Sequence, residues 1–221
     1  MKQLSSAFEK LNIPVSSETL SKFEKYMRLV LAWNEKVNLT AITEEDEFIQ
    51  KHFIDSILCA NFDEVKSADT VIDVGTGAGF PGVPLALVFP EKHFLLIDST
   101  GKKIRILREI LDALDVSRVT VLHARAEELA RKEEYREKFD LCVSRAVANM
   151  TVLSGYCLPF VKPGGSFIAY KGPEVTKELA QAQPEIKRLG GKVKDIRKAA
   201  LEGFGLDHSL VVIEKGECSS G

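Results

Sequence analysis

Four cysteines, one tryptophan and no long apolar run mark this 221-residue chain, and each scarcity excludes something. Cys59, Cys142, Cys157 and Cys218 form no C-x-x-C pair, so neither a disulfide framework nor a zinc site is expected, and no metal is assigned. Three of the four stand in apolar surroundings, as buried thiols in a reducing compartment do. No run approaches the roughly 18 apolar residues of a membrane span. Met1–Ser6 lacks the apolar segment of a secretory signal, so the expectation is a cytoplasmic protein without a membrane partner. Excess positive charge is also missing: the net charge is −2, and any nucleic-acid contact must rest on local patches. What the chain does have is 45% apolar residues, enough for a full core in one large α/β domain or a domain with a helical extension.

The most informative stretch is Val71-Ile72-Asp73-Val74-Gly75-Thr76-Gly77-Ala78-Gly79-Phe80-Pro81-Gly82. A short apolar run ends beside an aspartate, breaks into glycines, and gives way to a second apolar run after Pro81. The pattern predicts a buried strand, a tight turn and a helix, with backbone N–H groups open to a ligand at the strand's C-terminal end. Two framings compete. Gly77-x-Gly79-x-x-Gly82 fits the dinucleotide fingerprint, and Asp98 lies 21 residues beyond Gly77, where a ribose carboxylate is expected. That framing predicts an NAD-dependent oxidoreductase. Asp73-x-Gly75-x-Gly77-x-Gly79 instead resembles the first motif of the class I S-adenosylmethionine (SAM) methyltransferases, in which Asp98 would hold the ribose hydroxyls. A loop that serves only as a tight turn is the third alternative.

Residues 1–60 read as helices. Leu20, Phe23, Met27, Val30 and Leu31 recur at helical spacing behind Ser16 or Ser17 as N-cap, and Thr43-x-x-Asp46 is expected to open a second helix bearing Phe48, Ile49, Phe53, Ile57 and Leu58. Between and within them, Trp33 reads as a core anchor, Asn38 as a helix-terminating residue, and His52 with Asp55 as a pair three apart on one face. No chemistry follows from their spacing. From residue 69 strands and helices alternate: Thr70–Val74, Phe94–Ile97, Val119–Leu122, Phe139–Val143 and Ser166–Tyr170 are strands, and Val193 to Ile196 with Leu210–Ile213 form a last, antiparallel pair. Arg125-Ala126-Glu127-Glu128 follows the third strand and faces the same crevice as the glycine loop. Ser144-Arg145-Ala146 follows the fourth, and an arginine there points to a site rather than to solubility. Lys102, Lys103, Arg105 and Arg108 form the densest short basic cluster, and residues 171–200, which begin with Lys171, hold eight Lys/Arg against four Asp/Glu. Pro184 is expected to kink or split the helix marked by Val175, Leu179, Ala182, Ile186 and Leu189.

Taken in order, Trp33-Asn34…Asn38-Leu39-Thr40, Lys51-His52…Asp55-Ser56, Asp73 through Gly82, Leu96-Ile97-Asp98-Ser99 and Ser144-Arg145-Ala146 resemble the bacterial GidB/RsmG family, the 16S rRNA guanine-N7 methyltransferases. The resemblance runs over about residues 8–215. It implies a class I SAM-dependent methyltransferase (Rossmann-like) α/β fold: a mostly parallel seven-stranded sheet with an antiparallel final strand and an N-terminal helical extension. The division expected is 1–62 for that extension, 63–217 for the SAM-binding domain and 218–221 for a tail. By position, Asp73, Gly75, Gly77, Gly79, Phe80, Asp98, Ala126, Glu127 and Arg145 would contact SAM, with Arg145 as a positioning residue. Asn38, Lys51, His52 and Lys171 are the candidates for the RNA. The resemblance implies methylation at N7 of a guanine near the decoding site of 16S rRNA, in the small ribosomal subunit or an assembly intermediate. A small-molecule SAM methyltransferase is the alternative left by the sheet alone. One departure is visible: Asp207-His208-Ser209 stands where family members often carry an arginine before the last strand.

Overall fold

Alternate residues of the central strands enter two different cores. Val71, Phe94, Leu96, Leu141, Val143, Ile168 and Val212 belong to one, while Ile72, Val74, Leu95, Ile97, Cys142, Phe167 and Val211 belong to the other. That period of two, with both sets buried, is the signature of a sheet covered on both faces. The computed structural model describes residues 1–145, 148–199, 201–206 and 208–216. Ala146, Val147, Ala200, Asp207, Glu217 and the expected tail 218–221, which includes Cys218, lie outside the described residues.

The strands are β1 (Thr70–Val74), β2 (His93–Asp98), β3 (Val119–His123), β4 (Phe139–Arg145), β5 (Val161–Lys171), β6 (Gly191–Ala199) and β7 (His208–Lys215). Their order is β3-β2-β1-β4-β5-β7-β6. The first five run parallel, and β7 lies antiparallel between β5 and β6. The strand order reverses direction between β1 and β4, so the crevice outside their C-terminal ends is where this architecture binds ligands.

One face of the sheet is covered by α1 (Lys2–Lys10), α2 (Ser17–Asn34), α3 (Glu45–Phe48), a π-helical turn (Ile49–Ile54), α4 (Asp55–Ile57), α5 (Asp63–Lys66), α6 (Gly82–Val88) and α7 (Gly101–Leu114), whose apolar side chains share one core. The other carries α8 (Ala126–Leu129), α9 (Met150–Cys157) and α10 (Val175–Arg188). Ser16 caps α2, its hydroxyl accepting from the Thr19 amide at 3.0 Å. Thr43 does not cap the next helix. α3 starts at Glu45 without a side-chain cap and passes into the π turn, which carries Lys51 and His52, before α4 begins at Asp55. Pro184 does not split α10, which runs unbroken to Arg188 because Leu179, Ala182 and Ile186 hold it on the sheet. Cys59, Cys142 and Cys157 are buried free thiols. Among the described residues no helix is long and apolar enough to cross a membrane.

Candidate cofactor crevice

The loop between β1 and α6 is braced from below by Asp73. Its fully buried carboxylate accepts, through Oδ2, the Thr76 hydroxyl at 2.7 Å and the Gly82 amide at 2.9 Å, while Oδ1 has no hydrogen-bond partner. Burial pushes this carboxyl up to about 7 despite those donors. Asp73 therefore ties the start of the loop to the start of α6 and lines no crevice itself. From the helical side, Tyr26 of α2 donates its hydroxyl to the Ala78 carbonyl at 2.6 Å.

Gly77 and Gly79 have different reasons to be glycine. Both hold positive φ, +60° and +109°. A Cβ on Gly79 would stand 2.5 Å from the Tyr26 hydroxyl and 2.7 Å from Val83, so this glycine is a packing requirement. A Cβ on Gly77 would meet nothing within 4 Å, so its face is open to a ligand. The Gly77 amide donates to Asp98 Oδ2 at 2.9 Å, and the Thr100 amide to Oδ1 at 2.8 Å. Each carboxylate oxygen thus keeps one lone pair for a further donor, which is what two ribose hydroxyls require.

These groups face a crevice of about 650 Å³ walled by Val74, Gly75, Gly77, Ala78, Phe80 and Ile97 on the loop side and by Ala124, Arg125, Ala126 and Glu127 across from it. Arg145, His52, Leu39, Lys103 and Tyr156 complete it. Gly75, Gly77, Phe80, Asp98, Ala126, Glu127 and Arg145 therefore meet in one cleft, and Gly79 lies beneath its floor. The residues fit SAM: an open glycine backbone, a carboxylate with free lone pairs for the ribose, and apolar walls for the base.

Arg145 is fixed by the N-terminal helices. Its Nη1 donates to Asp55 Oδ2 at 2.6 Å and to the Lys51 carbonyl at 2.9 Å, its Nη2 approaches His52 Nδ1 at 3.1 Å, and the guanidinium lies 5.3 Å over the Phe80 ring. An arginine can only donate, so His52 Nδ1 is the acceptor and its Nε2–H donates to Thr40 Oγ1 at 2.7 Å. Burial, with the Arg145 charge adding to it, lowers His52 to about 3, so the ring is neutral at physiological pH. It stacks on Phe80 at 4.4 Å with 6° between the planes.

The remaining candidates lie elsewhere. Asn38 is exposed, beside the crevice-lining Leu39. The Lys51 side chain pairs with Glu47 and only its carbonyl reaches Arg145. Lys171 is turned away from the crevice, donating to the Ala148 carbonyl at 2.8 Å and pairing with Glu178 at 2.7 Å. Lys103 and Tyr156 line the crevice, and Tyr26 and Thr40 support it from behind, without a crevice role visible in the sequence. Lys103 belongs to the basic cluster on α7 and Thr40 to the Asn38-Leu39-Thr40 motif, whereas Tyr26 and Tyr156 carry no signal until the elements pack.

The family model for rRNA small subunit methyltransferase G matches residues 19–204. The ribosomal RNA small subunit methyltransferase G of Clostridium perfringens (strain 13) is 48% identical over 212 residues, 96% of this chain and 89% of that protein. The chain belongs to the rRNA small subunit methyltransferase G family. Like the family, it is a SAM-dependent methyltransferase, and the dinucleotide framing of Gly77–Gly82 falls. Solved structures share the fold at low identity. An O-methyltransferase family protein from Burkholderia thailandensis superposes with a TM-score of 0.60 at 13% identity, covering 78% of this chain and 57% of that one. Aeropyrum pernix fibrillarin, in complex with natively bound SAM, gives 0.58 at 13%, covering 74% and 75%. Of the tripeptide that departs from the family pattern, Asp207 lies outside the described residues, and His208 pairs through Nδ1 with Asp55 Oδ1.

Proposed function

We propose that the chain methylates N7 of one guanine in 16S rRNA near the decoding site, within the small ribosomal subunit or an assembly intermediate. The observation that carries this reading is the family match over most of the chain, with relatives named for small-subunit rRNA methylation. Bound SAM supplies an electrophilic methyl group. Guanine N7 is an in-plane lone pair without a proton, so it can attack directly and no general base has to be supplied. The groups that line the crevice suit that chemistry. His52 is neutral with both ring nitrogens engaged, and Asp98 already accepts two amides, so both orient rather than transfer protons. The rate would then come from alignment, a proximity effect of at most roughly 7–11 kcal/mol.

We assign the cofactor to Gly75, Gly77, Phe80, Asp98, Ala126, Glu127 and Arg145, with Asp73 and Gly79 shaping the loop beneath. Exposed Asn38 and Lys51, with His52 on the crevice wall, remain our candidates for RNA contact, while Lys171 pairs with Glu178 at the β5–α10 junction. We divide the chain into an N-terminal helical extension through residue 62 and a SAM-binding part over 63–217, which begins with α5. The test is transfer of labelled methyl from SAM to small subunits lacking the modification. Label retained in rRNA and lost with Asp98→Ala supports the reading. Measurable SAM binding with no label in RNA defeats it and leaves a small-molecule acceptor.

A further inference from the structure

Asp55 is a carboxylate 1% exposed to solvent, in a helix outside the sheet, with no role legible in the sequence. A buried carboxylate is costly unless paired, and this one is paired twice. Oδ2 receives Arg145 Nη1 from the end of β4, at 2.6 Å, and Oδ1 receives His208 Nδ1 from the start of β7. The same turn of chain adds the Lys51 carbonyl and His52 Nδ1 as further acceptors for Arg145. Three acceptors within five residues of one helical stretch thus grip a side chain from β4. They engage three of its five N–H donors and leave two. Phe80, 5.3 Å from the guanidinium carbon, confines its face.

We propose that Asp55 is a positioning residue: it holds the Arg145 guanidinium in the orientation that contacts the bound cofactor, so that a buried carboxylate of the N-terminal helices acts on the crevice through a side chain of β4. A long arginine otherwise loses side-chain freedom when a ligand arrives, and a side chain already fixed does not. The proposal rests on the assignment of Arg145 as a cofactor contact.

The test is a double-mutant cycle on affinity for S-adenosylhomocysteine, measured calorimetrically with Asp55→Asn, Arg145→Met and the double variant, each checked for folding by thermal melting. If Asp55 acts through Arg145, Asp55→Asn alone weakens binding by ~10-fold, as loss of a charged hydrogen bond does. In the Arg145→Met background the same change then has less than ~2-fold effect, because there is nothing left to position. Losses that multiply, or full affinity in a folded Asp55→Asn protein, overturn the proposal and make Asp55 purely structural. Should Asp55→Asn not fold, the wild-type protein decides by nitrogen NMR of its guanidinium groups, the Arg145 signals being identified by their loss in Arg145→Met. Resolved, slowly rotating Nη signals before ligand is added support the proposal, and averaged signals that sharpen only on binding refute it. Unchanged affinity in Arg145→Met refutes the cofactor role of Arg145 and the proposal together. Failure to methylate rRNA would leave both standing.

Discussion

A single methyl group placed at Gly79 or at Gly77 should separate stability from cofactor binding within one loop. At Gly79 the new Cβ would lie 2.5 Å from the Tyr26 hydroxyl, 2.7 Å from Val83 and 3.0 Å from Leu107, on a backbone held at φ +109°. Displacing Tyr26 also breaks its hydrogen bond to the Ala78 carbonyl. Backbone strain of about 1–3 kcal/mol, overpacking of about 1–3 and a lost hydrogen bond of about 1, less roughly 0.4–1 from a stiffer unfolded chain, give about 2–7 kcal/mol. For a chain of this size that lowers Tm by roughly 4–28 °C. At Gly77, with φ +60° and no atom within 4 Å, only the left-handed backbone penalty applies. It nets about 1 kcal/mol or less, roughly 2–4 °C at most. Its methyl group, however, projects where ligand must lie, so affinity for S-adenosylhomocysteine should drop by at least ~10-fold. Scanning calorimetry and titration calorimetry on the two variants read both quantities. The reasoning fails if Gly77→Ala melts as low as Gly79→Ala, or if it binds like the wild type.

Further outcomes follow from the same geometry. His52 falls from an ordinary 6.5 to about 3 on folding, so between those values the unfolded chain binds the extra proton. Its contribution to stability rises with pH through that window and is complete above it. Asp73 works in the opposite sense: raised from 3.8 to about 7, its folded form holds the proton, and stability declines as pH climbs between the two values. Melting curves from pH 4 to 8 should therefore change slope in opposite directions in His52→Gln and Asp73→Asn, and a shared direction would contradict both assignments. Asp98→Asn removes the charge we assign to the ribose hydroxyls and should weaken S-adenosylhomocysteine binding by roughly 10–100-fold in titration calorimetry. Tyr26→Phe leaves the Ala78 carbonyl without its buried donor, a loss of about 1–3 kcal/mol readable in urea unfolding, with a native-like slope.

The sheet was legible because β1, β2, β4 and β5 are apolar on both faces, and glycine or an acid closes β1, β2 and β5. The crevice followed from the same fact: residues just past adjacent parallel strands, such as Asp98, Ala126 and Arg145, must converge. What the sequence concealed is tertiary. Arg145 meets its partners 90 to 94 residues away, and Tyr26 finds Ala78 across 52. No spacing rule connects such pairs. The π turn at Ile49–Ile54 was hidden for another reason, since its apolar pattern differs little from that of an α-helix. Charge near a crevice in the sequence says nothing of direction, and Lys171 is drawn to Glu178 and the Ala148 carbonyl. His208 shows the converse, a departure from a family pattern that the fold places on the buried Asp55.

The most direct test of the central claim is chemical mapping of the product. Small subunits lacking the modification are incubated with the enzyme and SAM, and their rRNA is treated with borohydride and aniline, which cut at N7-methylguanine. The account predicts scission at a single guanine near the decoding site, absent with Asp98→Ala. Methylated rRNA that resists cleavage would contradict N7 as the acceptor.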